Sequence, residues 1–337
     1  MALSGAELRR VRARAQFVGG GERARSVAGV VERVFALQAQ DAGAAALGLR
    51  ARARGLTPAG VRRALETERS VVRGWFMRGT LHLVPAADAR WLLALYGERL
   101  IAGTAARYRA LGLDEALTGR ALALIAAEVA DGPRTRAELG ERLASLGVDT
   151  TGQAPIHLIR RAALTGLVCE GPRKDGESAY VAAGDWLPSG PGPVGEAAVA
   201  ELAVRHRRAY APAEPEDFAA WSGLPLGAAR TAWASLRPAR TAAPGAAAAP
   251  DVRLLPAYDG YWLGHRDRSW SVPAGRARDL APGGGQIRAA VVADGLLVGT
   301  WGRTRRDGVR PALFDGVSDA VAAGAAAEAA AVESFAE

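Results

Sequence analysis

The sequence has 337 residues, of which 49% are hydrophobic, so it is long enough for two or three domains with substantial cores. Its net charge of +8 favours an anionic partner such as nucleic acid, although a GC-rich genome explains part of the arginine content, since Lys174 is the only lysine. The single cysteine, Cys169, excludes an internal disulfide and thiolate metal centres, and no apolar run is long enough to span a membrane. We therefore expect a cytoplasmic protein that binds no metal and no cofactor.

The first predicted domain, residues 1–115, combines helical segments with a hairpin. The segments with the apolar spacing of helices are residues 5–16, 24–38 and 57–68. The stretch SVVRGWFMRGTLHLV then alternates in polarity and contains a turn at Arg78-Gly79, which predicts two antiparallel strands. Helices followed by a hairpin are typical of a winged helix, a fold that binds DNA.

The second predicted domain, residues 116–190, shows this order of elements more clearly. It contains three helical runs, and Thr135 and Glu138 have the spacing of a capping box at the start of the second run. LVCEG and SAYVAA then predict two strands joined by the turn PRKDGE. In winged helices the third helix often enters the major groove and the hairpin contacts the backbone. Arg160 and Arg161 on the third helix, and Lys174 in the turn, are therefore candidate DNA contacts.

Two further domains are predicted in the last part of the chain. Residues 191–250 contain three helical runs and most of the Pro/Ala/Gly linker 239–251, and we interpret them as a third winged helix. From Val252 onward strands and turns dominate until an alanine-rich terminal helix, and residues 251–337 form the last domain. The predicted organisation is three winged-helix units followed by a small β region.

A pair of glutamines lies at the end of the helical segment in VERVFALQAQDAG. Gln38 and Gln40 are separated by one alanine, in a chain that has few glutamines. In a regular helix, residues i and i+2 point about 200° apart, whereas in extended backbone they point to the same side. Asp41 and Gly43 favour a helix end here, and at such an end the two amides can converge on one water. A solvated helix cap is the structural alternative.

Six segments, which lie in order along roughly four-fifths of the chain, carry a family resemblance. They are LQAQD, RGTLHLVPAAD, HLIRRAALTGLVCEGP, DFAAWSGL, LLPAYDGYWLGHRDR and VGTWGR. Together they resemble the AlkZ-like and YcaQ-like DNA glycosylases. The chain departs from the family pattern at Gly260, since an acidic residue often follows the Asp of LLPAYDGY in this family.

The resemblance implies a fold of the α+β class, mainly helical, with three tandem winged-helix domains and a C-terminal β-barrel-like region arranged as a C around DNA. It also implies excision of N7-alkylated purines, including bulky adducts and interstrand crosslinks from genotoxic natural products in the AlkZ branch. A Gln-x-Gln or Gln-x-Asp motif is catalytic in this family. The resemblance therefore makes Gln38 and Gln40 the catalytic residues and points to the AlkZ branch.

Glutamine side chains can catalyse the hydrolysis of the N-glycosidic bond of such a lesion. N7 alkylation makes the purine cationic, so it leaves as a neutral base through a transition state that resembles an oxocarbenium ion. A positioned water and carbonyl dipoles directed at the positive charge suffice for this task. A lyase step needs an amine nucleophile, and the only lysine lies in a charged wing turn, so we predict a monofunctional enzyme unless the terminal amine serves as the nucleophile.

Further candidate contacts lie on the first hairpin. Arg78 at the turn is a candidate phosphate contact, and His82 either contacts DNA or is a strand histidine with one satisfied partner. Of Trp75 and Phe76, strand alternation leaves at most one free to stack on a base. We expect a monomer that acts on double-stranded DNA carrying alkylated purines, with no membrane partner. The competing interpretation is a winged-helix transcription regulator that binds DNA without catalysis.

Overall fold

A computed structural model describes residues 3–237, 245 and 249–336 as an α+β protein, about half of it helical. Up to residue 130 the helices are α1 (Gly5–Ala15), α2 (Val27–Arg33), α3 (Ala42–Arg52), α4 (Pro58–Glu66), α5 (Ala89–Ala102), α6 (Ala105–Ala110) and α7 (Glu115–Ala130). The strands of this part are β1 (Leu37–Gln38), β2 (Val71–Trp75) and β3 (Leu81–Pro85). The later helices are α8 (Arg136–Ala144), α9 (Ala154–Leu164), α10 (Ala183–Trp186), α11 (Gly195–Tyr210), α12 (Pro215–Ser222), α13 (Leu226–Ala234), α14 (Gly260–Leu263), α15 (Ala277–Leu280) and α16 (Asp319–Ala336). The later strands are β4 (Arg134–Thr135), β5 (Val168–Glu170), β6 (Ala179–Ala182), β7 (Val252–Leu255), β8 (Ala290–Ala293), β9 (Leu296–Thr304) and β10 (Gly308–Leu313).

The chain divides into two compact units. The first unit combines Met1–Val61 with Val199–Glu337, and the second is Arg62–Ala198. The boundary after Val61 falls inside the predicted first domain, whereas the predicted second domain lies wholly within the second unit. The finer division into four domains stays a prediction.

In the second unit, residues 115–182 contain the three helices and the following two strands from which a winged helix was predicted, together with the short strand β4, which was not predicted. The strands form a sheet in the order β4-β6-β5. The Thr135 hydroxyl accepts from the Glu138 amide at 3.2 Å, and the Glu138 carboxylate accepts from the Thr135 amide at 2.8 Å. These two bonds confirm the predicted capping box at the start of α8. Beneath them, Ile125, Leu143 and Leu158 belong to one buried core.

The predicted first hairpin is also present in the second unit. β2 and β3 pair antiparallel, with Val71 opposite Pro85 and Trp75 opposite Leu81. Phe76 is 2% exposed, while Trp75 stacks on Tyr180 with 6.4 Å between ring centroids. Both rings are thus engaged in packing inside the unit, which makes either a poor platform for a DNA base.

The first unit is built around the C-terminal sheet, whose strand order is β10-β9-β8-β7. By strand alternation, Val252 packs with the α16 residue Val332 on one face, and Leu255 packs with Ala13 and Tyr261 on the other. The edge strands β7 and β10 do not pair with each other. In the described part of the chain, the predicted β-barrel-like region is therefore an open sheet sandwiched between helices.

Two predicted segments need correction, one helix was missed, and one predicted segment falls largely outside the description. The helix predicted over residues 24–38 ends at Arg33, and α3 was not predicted at all. The stretch LLPAYDGYWLG, in the part predicted to consist of strands and turns, contains the end of β7 and then the short helix α14. The predicted linker 239–251 lies largely outside the described residues. The end of α2 and the start of α3 flank the glutamine pair, so these two corrections change the backbone predicted there.

Candidate active site and DNA contacts

Gln38 lies in the short strand β1, and Gln40 lies two residues later in the connection between α2 and α3. Ala36 has a positive φ of 58°, a left-handed conformation that turns the chain out of the helix, and Leu37 and Gln38 then form β1. Leu37 and Ala39 are buried, whereas Gln38 is half-buried and Gln40 is exposed. This alternation indicates that both glutamine side chains point to the same side of the chain, away from the core.

The turn into the glutamine pair is held in a costly conformation. A left-handed residue with a Cβ costs roughly 1–2 kcal/mol, and such strain persists where the surrounding packing fixes it. Phe35, next to Ala36, is fully buried, and its ring centroid lies 6.5 Å from that of Trp221. The strained residue therefore sits directly on the aromatic core of the first unit.

Asp41 begins a helix rather than ending one. Its Oδ1 accepts a hydrogen bond from the Ala44 amide at 2.6 Å, so Asp41 is the N-cap of α3. An aspartate before a short glycine-containing run is equally typical of helix starts, which is why the sequence alone misassigned this position. The glutamines thus occupy a short connection between α2 and α3.

An amide pair in such a connection can position a water but cannot act as a general base. Each amide offers an oxygen that accepts and a nitrogen that donates. Oxygen dipoles directed at one point stabilise a positive charge that develops there, and the remaining amide groups orient an attacking water. The arrangement suits hydrolysis of a bond whose leaving group departs without protonation.

Arg78 lies at the tip of the β2–β3 hairpin, and its side chain is exposed. Arg78 and Gly79 both have positive φ values, of 55° and 73°. A Cβ at Gly79 would lie 2.5 Å from Nη2 of Arg160. Glycine is therefore favoured at position 79 by the left-handed conformation, and the end of the Arg160 side chain lies against it. The packing brings two of the predicted DNA contacts, Arg78 and Arg160, to one hairpin tip.

His82 lies on the same hairpin but faces its interior. The residue is 1% exposed, and its Nδ1 donates to the Thr80 carbonyl at 2.9 Å. Burial, together with the positive charge of Arg78, lowers the pKa of His82 to about 3. A neutral, buried imidazole with one satisfied bond favours the structural alternative over a DNA contact.

The third helix of the predicted winged helix, α9, packs against several neighbouring elements. It contacts α5, α7, α8 and β2 within the second unit. Burial lowers the pKa of the half-buried Arg160 guanidinium. Arg161 Nη2 lies 3.0 Å from the Glu115 carboxylate, and its guanidinium lies 5.3 Å from the Tyr108 ring centroid. This packing disfavours the expected insertion of α9 into a major groove.

Lys174 is half-exposed in the turn between β5 and β6, as predicted. Its ammonium is paired with the Glu138 carboxylate, and this hydrogen bond is the main cause of the lowered pKa of Glu138. The neighbouring Arg173 and Asp175 are exposed. Lys174 thus lies at the surface of this turn. A movement of its side chain alone would let a phosphate replace the Glu138 carboxylate as its partner.

The β9–β10 hairpin carries a basic surface that was not predicted as a DNA contact. The exposed arginines on it are Arg303, Arg305, Arg306 and Arg310. The acidic residue of the tip, Asp307, accepts a hydrogen bond from the Thr304 hydroxyl at 3.1 Å. The signal was visible in the sequence as WGRTRRDG, a group of arginines at the tip of two predicted strands.

The described part of the chain has neither a candidate metal site nor a candidate membrane-spanning helix. No group of three or more His, Cys, Asp or Glu side chains there is arranged to hold a metal ion. None of the described helices combines the length and the apolar character needed to cross a membrane.

Comparison with known proteins agrees with the family resemblance. The family described as DNA glycosylase AlkZ-like matches residues 31–335, which include both glutamines. Among solved structures, the DNA glycosylase AlkZ of Streptomyces sahachiroi shares the fold, with a TM-score of 0.78 and 22% identity over 99% of this chain and 98% of that chain. No curated protein matches the sequence. Because the family match spans most of its length, the chain belongs to the AlkZ-like family of DNA glycosylases.

Proposed function

We propose that this enzyme is a monofunctional glycosylase that hydrolyses the N-glycosidic bond of N7-alkylated purines in double-stranded DNA. Its preferred lesions are bulky adducts or interstrand crosslinks formed by a genotoxic natural product, and its role is DNA repair that confers self-resistance. The observation that carries this proposal is the extended Gln38–Ala39–Gln40 turn, whose two amide side chains face the same side of the backbone.

The reaction requires only that the protein stabilise positive charge on the deoxyribose and position a water. The alkylated purine is cationic and leaves as a neutral base, so positive charge builds on the deoxyribose as the glycosidic bond breaks. Carbonyl dipoles of Gln38 and Gln40 stabilise that charge, and the same amides hold a water at the anomeric carbon. Addition of the water leaves an abasic site, and its extra proton passes to solvent.

The absence of a lyase step follows from the single lysine. Lyase activity requires an amine that attacks the anomeric carbon to form a Schiff base. Lys174 is the only lysine, and its ammonium is paired with Glu138 on the wing. The product is therefore an intact strand with an abasic site, which breaks only after treatment with alkali.

Binding to undamaged duplex should weaken steeply as salt rises, because arginine–phosphate contacts release bound counterions. With six such contacts, affinity should fall roughly 10³-fold between about 50 and 200 mM salt. The β9–β10 hairpin is the proposed source of part of this effect, so Arg305→Gln/Arg306→Gln should reduce the slope of log affinity against log salt by about two. Fluorescence anisotropy of a labelled duplex measures both quantities.

The matched control for the hairpin variant is Arg230→Gln. Arg230 is also exposed, but Nη2 lies 2.8 Å from the Glu216 carboxylate, so its charge is already compensated. The control should leave the salt slope unchanged. A wild-type slope in the hairpin variant would remove that surface from the DNA interface, and a flat salt dependence of the parent enzyme would contradict binding through phosphates.

The substrate proposal is tested with a series of N7 adducts in one sequence context: N7-methylguanine, a bulky N7 adduct and an interstrand crosslink. Excision should tolerate all three, because few side chains are suited to line a closed base pocket. Aromatic residues make up 6% of the chain, and among the exposed large hydrophobic side chains of the described residues only Tyr258 is aromatic. Abasic sites revealed by alkali measure the product.

The outcomes of this series separate the alternatives. Loss of excision beyond a methyl or ethyl substituent would mean that the lesion enters a closed pocket and would contradict the preference for bulky adducts. Strand cleavage without alkali would contradict the monofunctional assignment. Sequence-specific binding with no abasic sites on any substrate would instead support the transcription-regulator interpretation, which has no support from the family match.

A further inference from the structure

Asp259, the aspartate of LLPAYDGY, forms a buried bidentate ion pair with Arg52 at the end of α3. Arg52 Nη1 donates to Asp259 Oδ2 at 2.8 Å, and Nη2 donates to Oδ1 at 2.6 Å. The Arg52 side chain is fully buried and the Asp259 side chain is 5% exposed. Two parallel bonds to a planar guanidinium fix orientation as well as distance, which a single ammonium bond does not.

The pair is part of a hydrogen-bond network that anchors the end of α3. Arg52 Nη1 also donates to the Gly48 carbonyl at 3.0 Å, and Nη2 donates to Gln16 Oε1 at 3.4 Å. Gln16 in turn donates through Nε2 to the Ala209 carbonyl at 2.7 Å. The last turn of α3 is thereby tied to the end of α1, to the end of α11 and to the Asp259 turn.

Gly48, in the middle of α3, connects this network to the strand that carries the first glutamine. A Cβ at Gly48 would lie 3.6 Å from each of three atoms: Asp259 Oδ2, Leu37 Cδ1 and Pro256 Cγ. Leu37 is 3% exposed and directly precedes Gln38. The strand before the glutamines therefore rests on the same point of α3 as the Asp259 turn.

The other end of α3 carries the second glutamine. Gln40 directly precedes Asp41, the N-cap of α3. A displacement of the helix along or around its axis would move this cap, and the backbone of Gln40 with it. The glutamine turn is thus fixed at both ends. Leu37 before it packs near Asp259, and α3 after it carries Arg52.

We infer that the Arg52–Asp259 pair is a positioning element for the Gln38–Gln40 turn, an inference that rests on the proposed catalytic role of the glutamines. Burying two charges is costly and adds little net stability compared with apolar packing, so such a pair is suited to fixing one geometry. Two amides that stabilise a transition state by their dipoles depend strongly on that geometry, because a misplacement of about 1 Å can cost 10²-fold in rate.

The test uses Asp259→Asn, which keeps the side-chain shape but removes the charge, and Arg52→Lys, which keeps the charge but removes the fork. Each should lower the single-turnover excision rate at saturating enzyme by at least about tenfold. The affinity for lesion-bearing duplex should change by no more than about twofold, because neither side chain reaches the surface. If Asp259→Asn does not fold, the excision rate of Arg52→Lys decides the outcome.

The matched control is Asp251→Asn in the same unit. Asp251 is also nearly buried, with an 11% exposed side chain, and is held by the Gly21 amide at 3.0 Å and by Arg23 and Arg253 at 2.8 and 2.7 Å. Its loss should lower the melting temperature but leave the excision rate at the wild-type value below that temperature. Equal slowing by the control would show that any loss of stability has this effect and would overturn the positioning role.

A double-variant comparison separates positioning from a general defect. In the Gln38→Ala background, Asp259→Asn should cause a smaller further fall in rate than in the parent enzyme, because one of the two groups that it positions is already gone. Two effects that multiply would overturn the inference. A slow Gln38→Ala enzyme with a fast Asp259→Asn enzyme would overturn the positioning role alone, whereas a wild-type rate in Gln38→Ala would overturn the proposed catalytic role and this inference with it.

Discussion

Gln38→Ala/Gln40→Ala should lower the single-turnover rate of N7-alkylguanine excision by about a hundredfold, and each single variant by at least about tenfold. A tenfold loss corresponds to about 1.4 kcal/mol of transition-state stabilisation. One carbonyl dipole or one positioned water can supply this amount. The affinity for lesion-bearing duplex should change little, since the loss falls on interactions formed only in the transition state. Quench experiments with excess enzyme, followed by alkaline cleavage, measure the rate.

Two further variants sharpen this experiment. Gln286→Ala removes another exposed glutamine of the first unit and should behave as wild type. Gln40→Asp converts the motif to the Gln-x-Asp form that the family also uses, and it keeps an oxygen directed at the developing charge. It should therefore retain more activity than Gln40→Ala. Wild-type rates in the double alanine variant would exclude both glutamines from the mechanism.

Acidification below about pH 6 should destabilise the folded protein strongly, because three histidines are buried in neutral form. His82, His206 and His265 are 1%, 0% and 3% exposed. Burial lowers the pKa values of His82 and His206 to about 3, and that of His265 to about 4, from the usual value of 6.5. Each ring donates one hydrogen bond to a carbonyl, and the Nδ1 of His206 is buried with no partner among the described residues.

The sign of the effect follows from proton binding. Between the folded and unfolded pKa values the unfolded chain binds more protons, so the free energy of unfolding rises with pH and falls on acidification. Each histidine contributes about 1.4 kcal/mol per pH unit there, so the three together approach ~4 kcal/mol per unit between about pH 6 and pH 4.5. Urea unfolding at a series of pH values measures this slope.

One substitution identifies the histidines as the source. His206→Phe removes one titrating group from an aromatic surrounding, where the His206 and Tyr210 ring centroids lie 4.8 Å apart. It should reduce the slope by about one proton. His157→Gln, at a partly exposed position, should change the slope less. A free energy of unfolding that stays constant from about pH 7 to pH 5 would contradict neutral burial of these rings.

Several features followed from the sequence alone because their causes are local. The capping box of Thr135 and Glu138 depends on residues three positions apart, and the β2–β3 hairpin depends on alternation and on a glycine at the turn. The catalytic role of the glutamine pair stays a prediction, which rests on the family resemblance and on the ability of an extended backbone to direct both side chains to one side. Family membership, inferred from ordered motifs, was confirmed over residues 31–335.

The state of the glutamine backbone itself was decided by tertiary packing. Apolar spacing continued the helix past Arg33, but the structure places Ala36 in a left-handed conformation because Phe35 and Leu37 are both buried in the first unit. A helix would have satisfied the local pattern equally well. Only the distant partners of these side chains, such as Trp221 beside Phe35, select the extended form.

The roles of charged side chains depended even more on distant partners. Asp259 and Arg52 are 207 residues apart, and no periodicity links them, so the sequence could not predict this ion pair. Arg160 was predicted as a DNA contact on the third helix of a winged helix, yet its guanidinium lies against Gly79 of the hairpin. Local patterns predict which residues form a helix or a strand. Whether a charged side chain is buried depends on residues that are distant in the sequence and that only the fold places next to it.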